Sequence, residues 1–557
     1  MSNTSKITNT VCPFCLYGCD LSLNTSNRGD FLIRKIEYDS QSAINQGRLC
    51  ARGNLANTII DDKKRLTSPL FNNKKIDWVI ASSQISHQLK EYTPREIAIT
   101  FDVNNTLEEL DSIFSLANAL KVENIACSYL EPETFFNYSL PDVKYAELKD
   151  IEQAKVILII GDVFSKIPLL AKPVLDAKFR DRNNRLYYID SVKGRIAGFA
   201  NKSLLVKPGT EPLLLLALIG IIGKTTKNII GEKNYRAVRK AIPSIVEVCG
   251  VSESEIEEVA KSITSLSNGV ILASVDFGKT DDPLLFSALS QLLQIVTPND
   301  KKFCAPALVS LPNGKNKFGE LINAVNQGKV KAIINFGDIF PDYYPIVSSK
   351  LQNLKFFAST TTRLHNLTRP NWVLPVPSLL EKAGTIKTLW GKANIKPLAE
   401  PVNGSKSISE IIEKIVPDIE LTSKSRINDK IMLNIDEVIE RAINFLVSKK
   451  ESTNEITILG EESAFGYRGM LLEQANHIKI NPINAEQLGL NQTDSLKVVT
   501  NTAEKVFITN ITNAVPINTV SVNTDSKENR SLFPMQIDSI TNDIIISPAK
   551  GKLVKVA

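Results

Sequence analysis

With 557 residues, 43% of them hydrophobic, and a formal net charge of +6, the chain has the make-up of a globular protein of roughly three or four domains. Its cations are spread along the sequence and no basic run is interleaved with aromatics, which excludes a nucleic-acid-binding reading. The start, Met1-Ser-Asn-Thr-Ser-Lys-Ile7, has neither the apolar run nor the twin arginine of an export signal, and the longest apolar stretch, residues 212–223, falls short of the ~20 residues of a membrane span.

The N-terminal segment carries the most informative pattern. Cys12, Cys15 and Cys19 lie in Val11-Cys-Pro-Phe-Cys-Leu-Tyr-Gly-Cys-Asp20, and Cys50 follows in Gly47-Arg-Leu-Cys-Ala-Arg-Gly53, giving C-x2-C-x3-C-x30-C. Three thiolates on one tight loop and a fourth from a distance can enclose a cubane [4Fe–4S] cluster. The rival is zinc, which usually takes its ligands as two separated pairs. Asp20-Leu-Ser-Leu-Asn24 and Phe31-Leu-Ile-Arg-Lys-Ile-Glu37 alternate in polarity and read as strands around this loop. The run Asp61-Asp-Lys-Lys-Arg65 reads as a solvated face. The other cysteines, Cys127, Cys249 and Cys304, read as small buried apolar residues, and an odd total of seven fits a reducing compartment.

From residue 67 to about 400, short apolar strands alternate with amphipathic helices. The strands include 96–101, 156–160, 185–190, 269–274 and 332–336, with helical stretches at 107–120 and 168–179. Continuous apolar strands followed by helices predict parallel sheets covered on both faces. Lys155-Val-Ile-Leu-Ile-Ile-Gly-Asp-Val-Phe164 returns as Lys331-Ala-Ile-Ile-Asn-Phe-Gly-Asp-Ile-Phe340. Both place Gly-Asp (Gly161-Asp162 and Gly337-Asp338) at the carboxyl tip of a strand, where ligands bind in doubly wound sheets. Two related α/β domains sharing one ligand are the expectation. Residues 212–223 read as a buried helix.

Residues 401–453 read as a linker and helix. From 454 the sequence turns β, with alternation in 478–481, 495–500 and 505–511, and a short helix in 481–490 closed at Gly489. A separate small barrel is predicted. The fold class is thus α/β: a small N-terminal [4Fe–4S] domain (1–66), two doubly wound α/β domains (67–400), the linker and helix (401–453) and a C-terminal β-barrel domain (454–557).

On these residues the chain resembles the molybdopterin oxidoreductase superfamily, which includes formate dehydrogenase large subunits and the large iron–sulfur subunit of respiratory complex I. The resemblance rests on the four cysteines, on Leu49-Cys-Ala-Arg-Gly53 and on Arg65-Leu-Thr-Ser-Pro-Leu70. It continues through Ile189-Asp-Ser191, Lys207-Pro-Gly-Thr-Glu211, Val373-Leu-Pro375, Glu381-Lys-Ala-Gly-Thr385 and the 481–490 segment. It implies a [4Fe–4S] cluster on Cys12, Cys15, Cys19 and Cys50, and a molybdopterin guanine dinucleotide with molybdenum or tungsten. Arg52 would stand between cluster and pterin. Gly161, Asp162, Asp190, Pro208, Gly209, Thr210, Gly337 and Asp338 would line the pterin site, their backbone amides suiting phosphates. For Asp190 a helix or turn cap is an equal alternative.

The sequence departs from the family where catalytic members supply the metal ligand. In Glu123-Asn-Ile-Ala-Cys-Ser-Tyr-Leu-Glu-Pro-Glu133, Pro132 stands at the ligand position and Glu133 where a histidine follows. Glu131 and Glu133 are the only carboxylates on offer there. The family's glycine-rich segment is reduced to Val296-Thr-Pro-Asn-Asp-Lys-Lys-Phe303, and Thr388 and Trp390 replace an Asn and a Glu. The expected function is an iron–sulfur electron-transfer subunit of a complex I-like kind. The alternative is a catalytic molybdenum or tungsten bis-pterin enzyme such as a formate dehydrogenase, and a zinc-stabilised structural protein comes third. Either of the first two implies redox partners: ferredoxin-like, flavoprotein or complex I-type subunits. The chain is expected in the cytoplasm, free or on the cytoplasmic face of a membrane complex.

Overall fold

The alternating strands of the N-terminus pair as a three-stranded antiparallel meander, Ser5–Val11, Asp20–Arg28 and Phe31–Glu37. In this computed structural model, residues 5–28, 31–128, 132–305, 317–337, 347, 350–351, 354–364, 370–417, 419–420, 431–449, 455–463, 466–467, 470–471 and 476–556 are described. Val11 pairs with Asp20, and the Cys12 N–H donates to the Cys19 carbonyl at 2.7 Å, so the three-cysteine loop is the wide turn of a hairpin. Cys50 then leads into the short helix Ala51–Asn54.

Two sheets follow, and they are nested rather than consecutive. A five-stranded, wholly parallel sheet has the order Lys202–Leu205, Arg185–Asp190, Val156–Ile160, Gly269–Ala273, Lys301–Cys304. Its strands lie between the two halves of a seven-stranded sheet. That sheet runs Lys74–Lys75, Leu70–Phe71, Trp372–Pro375, Phe356–Thr361, Ala332–Phe336, Ile97–Phe101, Asn124–Cys127. It is parallel except for the edge formed by residues 70–75. The repeated strands Val156–Ile160 and Ala332–Phe336 occupy interior positions of their sheets, with every residue buried. Full burial on both faces is why they read as unbroken apolar runs.

The helix Glu211–Ile222 is buried from residue 211 through 220, each enclosed leucine contributing about 2 kcal/mol of transfer free energy. It ends at Gly223, with φ +89°, where the chain turns by 108° into Lys224–Cys249. Among the described residues no single helix is long and apolar enough to cross a membrane. The helix read at 168–179 is a 3-10 turn, Pro168–Leu170, followed by the α-helix Ala171–Arg180.

The C-terminal strands close into a six-stranded barrel, in the order Ile456–Glu461, Thr519–Asn523, His477–Ile480, Glu504–Ile511, Ser495–Thr500, Ala549–Lys555. Alternation turns Ile458, Ile478, Ile480, Leu496, Val498, Phe507, Val520 and Val522 inward. Asn481 caps the helix Pro482–Gln487 by accepting from the Ile483 N–H at 3.0 Å, and Gly489 (φ +62°) lies two residues beyond its end.

These parts share cores. Cys12, Phe14, Tyr17 and Cys19 pack with Ile157, Ile159, Leu186 and Tyr188, which sets the cluster loop on one face of the five-stranded sheet. The barrel interior is continuous with the core of the seven-stranded sheet. Arg65, read as solvated, is instead buried. Its guanidinium donates to both oxygens of Glu381, at 3.1 and 2.6 Å. A fork-on-carboxylate pair satisfies two buried charges at once. Cys127, Cys249 and Cys304 are buried as expected.

Candidate metal and cofactor site

The hairpin loop and the Cys50 turn bring the four cysteines within electrostatic reach of one another. Burial pushes the Cys12 thiol well up, and the negative charge of Cys15 and Cys50 adds to it, while Arg52 opposes. Cys19 is likewise raised by burial, then by Cys12, Cys15 and Cys50. Four thiolates crowded together, two of them buried and two half-buried, repel each other. They become tenable when they share the positive charge of iron, so the donor set fits a metal cluster. Among the described residues no three His, Cys, Asp or Glu side chains are grouped to hold a single ion. A tetrahedral zinc draws its sulfurs to within ~4 Å of each other, a tighter set than the corners of a cubane.

The hairpin Gly384–Thr388 and Gly391–Ile395 closes over this loop. The Leu389 N–H donates to the Leu16 carbonyl at 2.7 Å, and Trp390 meets Tyr17 edge-on with centroids 5.8 Å apart. Gly18 (φ +71°) has Thr388 where a Cβ would stand, 2.6 Å away, so a side chain at 18 would collide with the hairpin. Thr388 and Trp390 therefore serve the packing of the loop.

Arg52 is 7% exposed, not a surface side chain. Its Nη1 donates to the Lys166 carbonyl at 2.9 Å; its Nη2 donates to the carbonyls of Ser165 (2.6 Å) and Ser463 (3.0 Å). One guanidinium thus joins the cysteine segment, the five-stranded sheet and the barrel.

The carboxyl edge of the five-stranded sheet gathers most of the other candidates. The Gly161 N–H donates to the Ile189 carbonyl and the Ser274 N–H to that of Ile160, so three strand tips lie side by side. Gly161 (φ +78°) faces the Ser274 carbonyl, 2.0 Å from where a Cβ would be. Asp162 caps the short helix Val163–Lys166, accepting from the Ser165 N–H at 3.2 Å and from its hydroxyl. Asp190, 1% exposed, accepts from Lys279 Nζ at 2.9 Å, the Tyr188 hydroxyl at 2.7 Å and the Ser191 N–H at 2.6 Å. Pro208, Gly209 and Thr210 form the turn into helix Glu211–Ile222, with Gly209 at φ +76° and the Thr210 hydroxyl on the Lys207 carbonyl at 2.6 Å.

The second repeat ends elsewhere. Gly337 tips a strand of the seven-stranded sheet. Its N–H donates to Thr360 at 3.1 Å, and the Asp102 carboxylate lies 2.1 Å from where a Cβ would be. Asp338 and Glu131 lie outside the described residues, and of Glu133 only its place in the 3-10 turn Pro132–Asn137 is described.

Sequence reasoning missed a buried charge network at this edge. Lys279 pairs with Asp190 and, at 3.5 Å, with Asp276; Lys166 pairs with Glu462 at 2.8 Å and Asp276 at 3.8 Å. Burial pushes Asp276 up to about 8 against the pull of Lys279 and Lys166. Lys279 stays charged although burial works against it, because Asp190 and Asp276 hold its proton. Asp525 accepts from the Ser463 N–H at 2.7 Å and is pushed up to about 7 by burial and by Glu462, with Arg530 and Arg52 opposing. Glu211, at the first turn of its helix, is fully buried; the Ser191 hydroxyl and its own backbone N–H lie close enough to favour its charged form, but neither carboxylate oxygen reaches full hydrogen-bond geometry. Burial and then Asp190 push Glu211 up to about 7. A buried carboxylate held by such weak contacts fits a ligand that brings N–H groups.

Residues 5–62 match the molybdopterin oxidoreductase Fe4S4 domain. Beyond that domain the chain is similar in sequence to subunits of several redox enzymes. It is 27% identical to the F420-dependent formate dehydrogenase subunit alpha of Methanocaldococcus jannaschii, over 77% of this chain and 63% of that one. It is 22% identical to a subunit of the NADH-quinone oxidoreductase of Rhizobium meliloti, over 56% of this chain and 36% of that one. The chain thus spans less than two thirds of the length of these curated relatives. The solved acetylene hydratase from Pelobacter acetylenicus shares the fold, with a TM-score of 0.73 and 14% identity, covering 98% of this chain and 100% of that one. Like the molybdopterin oxidoreductases it resembles, the chain sets its Fe4S4 domain ahead of a mixed α/β body and a barrel.

Proposed function

We propose that the chain is an iron–sulfur electron-transfer subunit of a multi-subunit redox complex. The observation that carries this reading is the convergence of four mutually repelling thiols, two of them buried and two half-buried, beside a buried arginine. Cys12, Cys15, Cys19 and Cys50 would hold a [4Fe–4S] cluster, which when bound supplies reversible one-electron transfer. Arg52 offsets the negative charge of the thiolates, and the 384–395 hairpin shields the loop from water. The partners on either side are ferredoxin-like, flavoprotein or complex I-type redox subunits, and the proposed place of action is the cytoplasm or its face of a membrane complex. Residues near 66, 400 and 454 are the proposed domain limits.

The orphan carboxylate of Glu211 favours a second reading, a catalytic formate dehydrogenase-like subunit. A molybdopterin guanine dinucleotide carrying molybdenum or tungsten, when bound, would supply two-electron substrate chemistry. Glu211 and Ser191 would accept its N–H edge, with Asp190, Gly161, Asp162, Pro208, Gly209 and Thr210 on the same sheet edge and Gly337 and Asp338 as the contacts expected from the other sheet. Against this stand Pro132 at the ligand position and Asp190, whose carboxylate is taken up by Lys279. Metal analysis of the anaerobically purified chain, with an assay of formate-driven dye reduction, separates the two. Iron without molybdenum or tungsten and no dye reduction supports the electron-transfer subunit; stoichiometric molybdenum or tungsten with turnover overturns it.

A further inference from the structure

Arg52 does more than offset the thiolates. The Ser463 peptide receives its Nη2 on the carbonyl side and gives its N–H to Asp525 on the other. The Lys166 carbonyl receives Nη1, while the Lys166 ammonium pairs with Glu462 and Asp276. Two short paths therefore lead from the residue two beyond Cys50 to three buried carboxylates. The same guanidinium stands two residues from Cys50 and lowers the Asp525 carboxyl. Charge added at one end weakens its hold on the other.

Resting on the electron-transfer reading above, we propose that Asp525, with Asp276, is a redox-linked proton acceptor. When a low-potential one-electron donor adds one negative charge at the four-cysteine site, one of these carboxylates takes a proton from water. An O–H bond forms on the carboxylate, and the sum of charge in the region is unchanged. Asp525 is faced by Glu462, Arg530, Arg52 and the Ser463 N–H; Asp276 is faced by Lys279, Lys166, Glu462 and Asp162. Both carboxyls are raised toward neutral pH by burial, so a modest change in local charge shifts their protonation. Residues 461–463 are half-buried as whole residues, although the Glu462 side chain is 7% exposed.

Redox titration of the full chain with its cluster, followed by the low-temperature paramagnetic signal, tests this. The midpoint potential of the wild type should fall as pH rises from about 6 to about 8.5, approaching a tenfold change per pH unit, or about 59 mV. In Asp525→Asn or Glu462→Gln the slope should fall by at least half. A potential independent of pH, or a slope that both variants retain, overturns the proposal. Should the variants lose iron, infrared difference spectra of the wild type decide. Reduction should raise a protonated-carboxyl band that shifts in heavy water, and its absence overturns the proposal. A chain that binds no cluster sinks the electron-transfer reading as well, whereas a bound cluster indifferent to pH sinks only the proton acceptor.

Discussion

The cysteine loop and the carboxyl edge of the five-stranded sheet solve the problem of buried charge in opposite ways. At the loop, four thiols face each other, and Arg52 is the cation that acts against their repulsion at Cys12. At the sheet edge, Asp190, Asp276 and Glu462 are matched by Lys279 and Lys166 from the chain itself. The first arrangement is incomplete without metal. The second is balanced by lysines of the protein itself, although Asp276 and Glu211 each keep a carboxylate oxygen outside full hydrogen-bond geometry. The contrast argues that the loop is built around a cofactor's positive charge, whereas the edge holds its shape through its own ion pairs.

The largest expected effect tests the incomplete site. Cys15→Ser should reduce bound iron and the paramagnetic signal of the reduced cluster at least tenfold; a signal of full intensity breaks the ligand assignment. Next is the buried pair that ties the cluster segment to the second half of the chain. Arg65→Ala leaves Glu381 buried and alone, and should cost about 3–5 kcal/mol in denaturant unfolding. The double variant Arg65→Met with Glu381→Met should recover most of that. A loss under 1 kcal/mol in the single variant would show the pair to be loosely held.

The smallest effect sharpens the view of the edge. Glu211 has a folded-state pKa of about 7 against 4.5 for the free side chain, so the native state binds more protons than the unfolded one between these values. Stability from this group is fully present below about 4.5 and is lost as pH rises to about 7. Glu211→Gln should therefore raise stability at pH 8 by about 1–3 kcal/mol and change little at pH 4. A variant equally or less stable at pH 8 contradicts the orphan carboxylate.

How much of this was legible in the sequence depends on what sets each feature. The strands that follow Cys19, the strands at 156–160 and 332–336 and the barrel alternation follow local periodicity, so they could be read from neighbouring residues, whereas the strand Ser5–Val11 that completes the cysteine hairpin was not read. The nesting of the two sheets could not, because strand order is set by pairing across the whole chain. The burial of the charged residues escapes a local reading for the same reason. Arg65 meets its partner 316 positions away, and Arg52 meets Ser463 at 411. Lys279 carried a partial signal: it follows the strand Gly269–Ala273, whose tip adjoins that of Val156–Ile160. Applying the strand-tip rule to that third tip would have found it. Lys166, Glu462 and Asp525 gave no such sign, since their burial is created by the barrel closing on the sheet.

The most direct test of the account is the iron of the anaerobically loaded full chain, measured together with its low-temperature paramagnetic spectrum after one-electron reduction. About four irons per chain and the signal of a single reduced [4Fe–4S] centre are the predicted result. A chain that instead holds about one zinc, takes up no iron and stays silent on reduction would contradict it.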